Sequence, residues 1–167
     1  MGTISDAELE ELLDRYDKGQ KGKRDNRENA LNEEEQFIVD FGKLRASIIR
    51  PKLESLGRQI QARGHDYSLS EGEFVRERGS NPKPDEAFIK MTIYLAHERD
   101  RTLVGDTQRP WMSFSTDHRA KKVAVHISDQ TASGGRLYKE GDYDIKMVQP
   151  IFIVERFVKL FRDLARK

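Results

Sequence analysis

The four histidines are the residues of this chain best suited to acid–base or metal chemistry, because the chain contains no cysteine. His65 stands apart from the other three in the sequence. His97, His118 and His126 lie at the end of, just beyond or within successive predicted strands, so a shared sheet edge would bring them together with Asp100 or Asp117. No spacing enforces that convergence. Ordinary exposed histidines are the favoured interpretation, and a histidine-lined enzyme site is the alternative.

A second group of residues has the types found in a hydrolase triad. A triad needs a nucleophile, a base and a carboxylate that orients the base, and these types are present in Ser113 or Ser115, His118 and Asp117. Neighbours at one strand end do not have the geometry of a triad. The chain also lacks a phosphate-binding GxxxxGK[ST] loop, a GxGxxG turn, a GxSxG elbow and an HExxH helix. We therefore predict no catalytic residue, no metal site and no cofactor.

Composition limits the classes of partner. The 167 residues are 36% hydrophobic and 35% charged, and the formal net charge of +1 gives no global attraction for nucleic acid. No apolar run approaches the length of a membrane span, and the N-terminus has neither a basic region nor an apolar segment. With no cysteine to form disulfides, these features predict a cytoplasmic protein that does not associate with membranes.

The N-terminal residues predict a short helix from Ser5 to about Asp17. Ser5 and Glu8 have the spacing of a capping box. The helix carries one apolar strip on an otherwise acidic surface: Leu9, Leu12, Leu13 and Tyr16. Because an isolated helix of this length is marginal in water, we expect it to dock on its own domain or on a protein partner.

Residues 18–30 have no hydrophobic pattern and contain Gly19 and Gly22, which predicts a flexible linker. In the favoured interpretation its basic residues contact only solvent. In the alternative, Lys21, Lys23 and Arg24 contact phosphate. The predicted organisation is an N-terminal helix and linker over residues 1–31, followed by one domain over residues 32–167.

A long amphipathic helix is predicted from Asn32, a favourable N-cap, to Gly64. Pro51 has no amide to donate, so a kink or break is expected near Arg50. The apolar positions along this helix form two stripes offset by about one residue: Phe37, Phe41, Leu44 and Ile48, then Ile49, Leu53, Leu56 and Ile60. Both stripes are expected in the core, or else part of them, including Phe37 and Phe41, packs on a second copy of the chain.

The second half of the chain predicts an antiparallel meander of about four strands and a closing helix. Residues 86–97 alternate most clearly, with Phe88 and Tyr94 on the face opposite Ile89 and Ile93, and the short connections favour antiparallel pairing. The last strand is expected to use Leu137 and Tyr138, or else Tyr143, Ile145 and Met147 after a turn at Gly141-Asp142. A helix over residues 149–167 is predicted to have Pro150 at its first helical position, where the missing amide is tolerated. It should pack its broad apolar side on one sheet face with its basic side chains outward, which makes an α+β fold.

These features favour a non-catalytic protein-interaction or adaptor domain that self-associates, with a homodimer expected. Its candidate interaction residues are Phe37, Phe41, Phe88, Tyr94 and Trp111. The first alternative is a nucleic-acid-binding module that uses the linker and the basic side of the last helix, through Lys21, Lys23, Arg24, Arg156, Lys159 and Arg162. The second alternative is the histidine-lined enzyme.

Overall fold

A computed structural model describes residues 5–76, 85–98, 109–132 and 134–166. The helices are α1 (Asp6–Leu44), a π-helical turn (Arg45–Ile49), α2 (Arg50–Gln61) and α3 (Pro150–Ala165). The strands are β1 (Asp66–Gly72), β2 (Phe88–Tyr94), β3 (Trp111–Asp117), β4 (Lys122–Ser128) and β5 (Leu137–Tyr143). The chain divides into two compact units, Met1–Gln36 and Phe37–Lys167. The α+β class is confirmed, with five strands instead of four.

Helix α1 corrects the prediction for the N-terminal part. Its capping box is present, since the Glu8 amide donates to Ser5 Oγ at 3.3 Å and the Ser5 amide donates to Glu8 Oε2 at 3.1 Å. The helix then continues through residues 18–30, so the predicted flexible linker and the N-cap at Asn32 are wrong. Gly19 and Gly22 each cost a helix about 1 kcal/mol relative to alanine. The lysines, arginines and glutamates around them favour a helix, and no proline interrupts residues 6–44.

The irregularity predicted near Arg50 is a π-helical turn. The Arg50 amide donates to the Arg45 carbonyl, five residues back, and Pro51 follows in the first turn of α2, where its missing amide is tolerated. A π turn holds one more residue than an α turn. That extra residue compensates for the one-residue offset between the two apolar stripes, so both face the same core.

The two stripes are therefore one surface. Phe37 and Phe41 are 6% and 0% exposed, and they belong to the same hydrophobic cluster as Leu53 and Ile60. This burial corrects the hypothesis that Phe37 and Phe41 contact a second chain, because almost no surface of either ring is left for a partner.

The sheet is a meander in the order β1-β2-β3-β4-β5, and every neighbouring pair is antiparallel. The alternation predicted for β2 is confirmed, since Ile89, Met91 and Ile93 are buried in the core cluster that the helices share. Strand β5 contains Leu137 and Tyr138, as the first alternative predicted, and it runs through Gly141-Asp142, so the turn of the second alternative is wrong. The pairing of β5 with β4 shifts between Val125 and His126, and this irregularity accommodates the chain without a turn.

Helices α2 and α3 contribute their apolar sides to this core. The predicted start of α3 at Pro150 is confirmed, and the helix buries Phe152, Ile153, Phe157 and Leu160. Helix α2 approaches β1 closely at Gly57, where an added Cβ would overlap the ring of Tyr67. The other side of the apolar face of α3 is not covered, because Ile151 is 66% exposed and Val158 is 44% exposed.

Arg45, in the π turn, joins the helical segment to the edge of the sheet. Its Nη1 donates to the carbonyls of Gly72 at 2.9 Å and Phe88 at 3.1 Å, and its Nη2 donates to Glu73 Oε1. The side chain is 10% exposed. One guanidinium therefore satisfies carbonyls at the end of β1 and the start of β2 together with a carboxylate, a geometry that lysine does not reproduce.

Replacing Arg45 with methionine should lower the free energy of unfolding by about 2–4 kcal/mol, because two carbonyls and a carboxylate lose their shared charged donor. Arg45→Lys retains the charge but not the fork, and should recover only part of the loss. Urea denaturation of the three proteins measures this. A loss below about 1 kcal/mol in Arg45→Met would contradict the assigned role.

Phe41→Ala should cost about 3–5 kcal/mol of stability because the ring is fully buried in the core. Val39→Ala is the matched control, since Val39 lies on the same helix but is 51% exposed, and it should change stability by less than about 0.5 kcal/mol. Thermal unfolding of both variants checks the pair. Equal, small effects would show that Phe41 is not a core residue.

Candidate interaction surfaces

The sheet face opposite the helices collects three of the sequence-predicted interaction residues. Phe88 and Tyr94 alternate on this side of β2, and Trp111 on β3 pairs directly with Thr92. All three predicted residues are half-buried, in contrast to the buried phenylalanines of α1. This outer sheet face, defined by Phe88, Lys90, Tyr94, Trp111 and His126, is therefore an accessible surface, as the alternation of β2 predicted.

Two cations lie over aromatic rings on the outer sheet face. Lys90 Nζ is 4.5 Å from the centroid of the Trp111 ring, and Arg109 Cζ is 4.4 Å from that of Tyr94. Such contacts are worth about 0.5–1 kcal/mol at exposed sites, and they restrict the motion of both partners. Lys90 has no role in the sequence prediction, although the same alternation places it between Phe88 and Tyr94.

His126 lies at the middle of the outer sheet face, opposite Ser113 on β3 and Lys139 on β5. Burial lowers the pKa of His126 below its usual value, and the charge of Lys139 lowers it further, while Asp142 acts in the opposite direction. The imidazole is therefore uncharged at neutral pH. A neutral ring on this face suits hydrogen bonding more than ion pairing.

The histidines do not converge, which corrects the hypothesis of a histidine-lined site. Antiparallel pairing of Phe88 with Ser115 and of Thr92 with Trp111 puts His118, after β3, at one end of the sheet. His97, after β2, is at the other end, and a strand of this length spans roughly 20 Å. Asp100 lies outside the described residues, and among the described residues no group of three or more His, Asp or Glu is arranged to hold a metal ion.

His118 has a structural environment instead. It is 8% exposed, its Nδ1 contacts Glu86 Oε1, and its ring centroid is 5.0 Å from that of Phe74. Thr116 Oγ1 donates to the other oxygen of Glu86 at 2.6 Å and accepts from the Ala87 amide at 3.1 Å. This polar cluster holds the end of β3 in place. It also includes His118, the residue that would be the base of a hydrolase triad.

The apolar strip of α1 is the second exposed surface. Leu9, Leu12 and Leu13 are 50–52% exposed, and Tyr16 is 64% exposed. Every described residue from Ser5 to Glu33 is exposed. The strip lies where the sequence predicted it, on a much longer helix, and nothing in the described part of the unit Met1–Gln36 covers it.

The basic residues of the nucleic-acid hypothesis divide into two sets. Lys21, Lys23 and Arg24 are exposed on α1, whereas Lys159 and Arg162 are exposed on α3. The remaining member, Arg156, is also on α3 but is half-buried. The outward direction predicted for the basic side chains of α3 is therefore correct for two of the three.

Arg156 is held by contacts within the fold. Its Cζ is 3.6 Å from the centroid of the Phe152 ring, and its Nη2 donates to Tyr143 Oη at 3.3 Å. Its Nε is 3.6 Å from Glu140 Oε2, and the side chain is 17% exposed. These contacts join α3 to β5, so the outward direction predicted for Arg156 is wrong.

The pKa of Arg156 reflects this environment. Burial acts to lower the pKa, but the hydrogen bond to Tyr143 and the charge of Glu140 outweigh burial and raise it. The guanidinium is therefore always charged, and its charge is balanced inside the protein.

A groove of about 510 Å³ between α2 and α3 has no counterpart in the sequence prediction. Its lining is largely apolar, with Leu56, Ile60, Phe157 and Phe161 among the lining residues. The width of the apolar side of α3 is the signal that could have indicated it, because that side is broader than the sheet covers.

No protein-family model, curated protein or solved structure matches the chain. In the part of the chain that the structure describes, no helix combines the length and apolar character needed to cross a membrane.

His126→Gln should make stability less sensitive to acid. Because the folded-state pKa is lowered, the unfolded chain takes up a proton near pH 6.5 that the folded protein does not, so stability is lost as the pH falls through that value. Thermal unfolding of wild type and variant at pH 7.5 and 5.5 measures the difference. An equal loss of stability between pH 7.5 and 5.5 in both proteins would contradict a role for His126 in this acid sensitivity.

Proposed function

We propose that this chain is a non-catalytic protein-interaction or adaptor protein that self-associates through the apolar strip of α1. The observation that carries the proposal is the exposure of Leu9, Leu12, Leu13 and Tyr16 on one side of a continuous helix. A helix face of this kind is usually covered in the functional state, because contiguous exposed apolar side chains mark interaction sites.

The size of the strip sets the expected strength of association. Burying the exposed half of one such side chain contributes about 1 kcal/mol, so two copies of the strip contribute about 8–10 kcal/mol. Association itself costs at least about 4 kcal/mol. At this lowest cost the difference of about 4–6 kcal/mol corresponds to a dissociation constant between tens of micromolar and about 1 mM, which describes a reversible dimer.

The outer sheet face supports the adaptor part of the proposal. Trp, Tyr and Arg are the residues most enriched among binding hot spots, and Trp111, Tyr94 and Arg109 lie there with the cation contacts described above. A rigid ring loses little conformational entropy when a partner covers it. We assign this face to a protein partner and α1 to self-association.

The cytoplasm is the proposed location. A chain without cysteine gains nothing from an oxidising compartment, since it has no disulfide to form.

The nucleic-acid alternative has less support. Residues 18–30 contain no aromatic side chain for base stacking, and Arg156 is held by Glu140 and Tyr143. The exposed cations that remain belong to two separate elements, α1 and α3. Residues 6–17 of α1 contain six carboxylates and one arginine, which would repel phosphate. Support for phosphate contact is therefore limited to one short basic segment.

Leu12→Lys combined with Leu9→Lys should abolish self-association, because both charges would be desolvated in the interface. Light scattering and sedimentation equilibrium from about 10 μM to about 500 μM measure the average mass, and the wild-type mass should rise toward that of a dimer at the upper end. Ile151→Lys is the matched control, since Ile151 is an exposed apolar residue of α3. This control should dimerise like wild type.

A wild-type protein that stays monomeric throughout this concentration range would contradict the proposal. So would an Ile151→Lys variant that loses association as completely as the α1 variant, because the strip would then not be the responsible surface. Circular dichroism of each variant establishes that the helices are intact.

A further inference from the structure

Charge is distributed along α1 in two blocks of opposite sign. Residues 6–17 contain six carboxylates and one arginine, a net charge of −5, whereas residues 18–27 contain five cations and one aspartate, a net charge of +4. The sign changes between Asp17 and Lys18. Both blocks are exposed on the same continuous helix.

A heptad pattern follows the same stretch. Positions alternately three and four residues apart form one seam of the helix, which contains Leu9, Leu12, Tyr16, Gly19, Lys23, Asn26 and Ala30. The first half of the seam is apolar. The second half consists of small or polar residues and a lysine, whose long stem covers apolar surface while its charged end reaches water.

We infer that α1 pairs with α1 of a second copy in antiparallel orientation, about a two-fold axis near Asp17 and Lys18. This inference rests on the proposed self-association and specifies its geometry. The acidic block of each chain then lies beside the basic block of the other. The side chains of the two seams also fit together, because a large apolar residue lies opposite a lysine stem or a glycine. Leu12 lies opposite Lys23, and Tyr16 lies opposite Gly19.

Gly19, the glycine on the seam, gives independent support. Gly19 and Gly22 lie in the middle of α1, where each is unfavourable by about 1 kcal/mol relative to alanine. Nothing lies within 4 Å of the position that a Cβ would take at either residue, so the packing of the single chain does not require them. Antiparallel pairing gives Gly19 a role, because a residue without a side chain leaves room for the Tyr16 ring of the second copy.

Parallel pairing is disfavoured by the same charges. It would place the −5 block beside its identical copy and the +4 block beside its own copy. Repulsion between like charges at a distance below the Debye length, about 10 Å at 0.1 M salt, opposes that arrangement. The antiparallel pair converts both repulsions into attractions.

Engineered cysteines test the geometry in the full chain, which has no cysteine of its own. Leu12→Cys and Lys23→Cys are purified separately and then mixed under mild oxidation. The mixture should form a disulfide-linked heterodimer, because opposite seam positions bring Cα atoms within about 7 Å. Leu12→Cys alone should not cross-link, since its two copies would be roughly 16 Å apart along the axis.

Ala30→Cys mixed with Leu12→Cys is the matched control. Ala30 is exposed on the same seam of α1 but is displaced from the position of Lys23 by roughly 10 Å, so this pair should cross-link at least about tenfold less. Cross-linking of Leu12→Cys with itself would show parallel pairing and overturn the inference while leaving self-association intact.

Salt dependence gives a second measurement on the wild-type chain. Raising sodium chloride from about 50 mM to about 500 mM should weaken an antiparallel dimer several-fold, whereas screening would strengthen a parallel one. A concentration-dependent dimer that lacks the cross-link between positions 12 and 23 would overturn the antiparallel inference alone. A protein that is monomeric at all concentrations would overturn the proposed function as well.

Discussion

The core of this protein depends on the π-helical turn Arg45–Ile49. In an uninterrupted α-helix the apolar residues before and after Pro51 would point in directions about 100° apart. The extra residue of the π turn removes that difference, so Phe41 and Leu53 lie in one core and are both fully buried. The same turn places Arg45 at the edge between β1 and β2, where it donates to two carbonyls. One local irregularity therefore aligns the two apolar stripes and attaches them to the sheet.

Burial of both stripes against one side of the sheet determines which surfaces remain. The opposite side carries Trp111 and Tyr94, each held under a cation. Helix α1 keeps its apolar strip exposed, because no described residue of the unit Met1–Gln36 covers it. The proposed roles, self-association through α1 and partner binding through the sheet, follow from this distribution of covered and uncovered apolar surface.

Much of the fold could be predicted from local patterns. The alternation in β2 and the proline at the start of α3 are sufficient to predict these two elements. Each element buries one side, and its local sequence preference agrees with its tertiary context. The predicted linker is wrong because Gly19 and Gly22 weaken α1 less than the helix-favouring residues around them stabilise it. The histidine cluster is wrong because strand register, which determines where His97 and His118 lie, depends on pairings between distant residues.

Periodicity and contacts between near neighbours are sufficient to establish the α+β class, the apolar strip of α1 and the exposed side of β2, because a single segment contains that information in full. Packing between distant segments was needed to show that Phe37 and Phe41 are core residues and that Arg156 pairs with Glu140. The separation of the histidines likewise follows from strand pairing alone. In each of these cases the outcome depends on which distant side chain occupies the neighbouring space, and no local pattern specifies that neighbour.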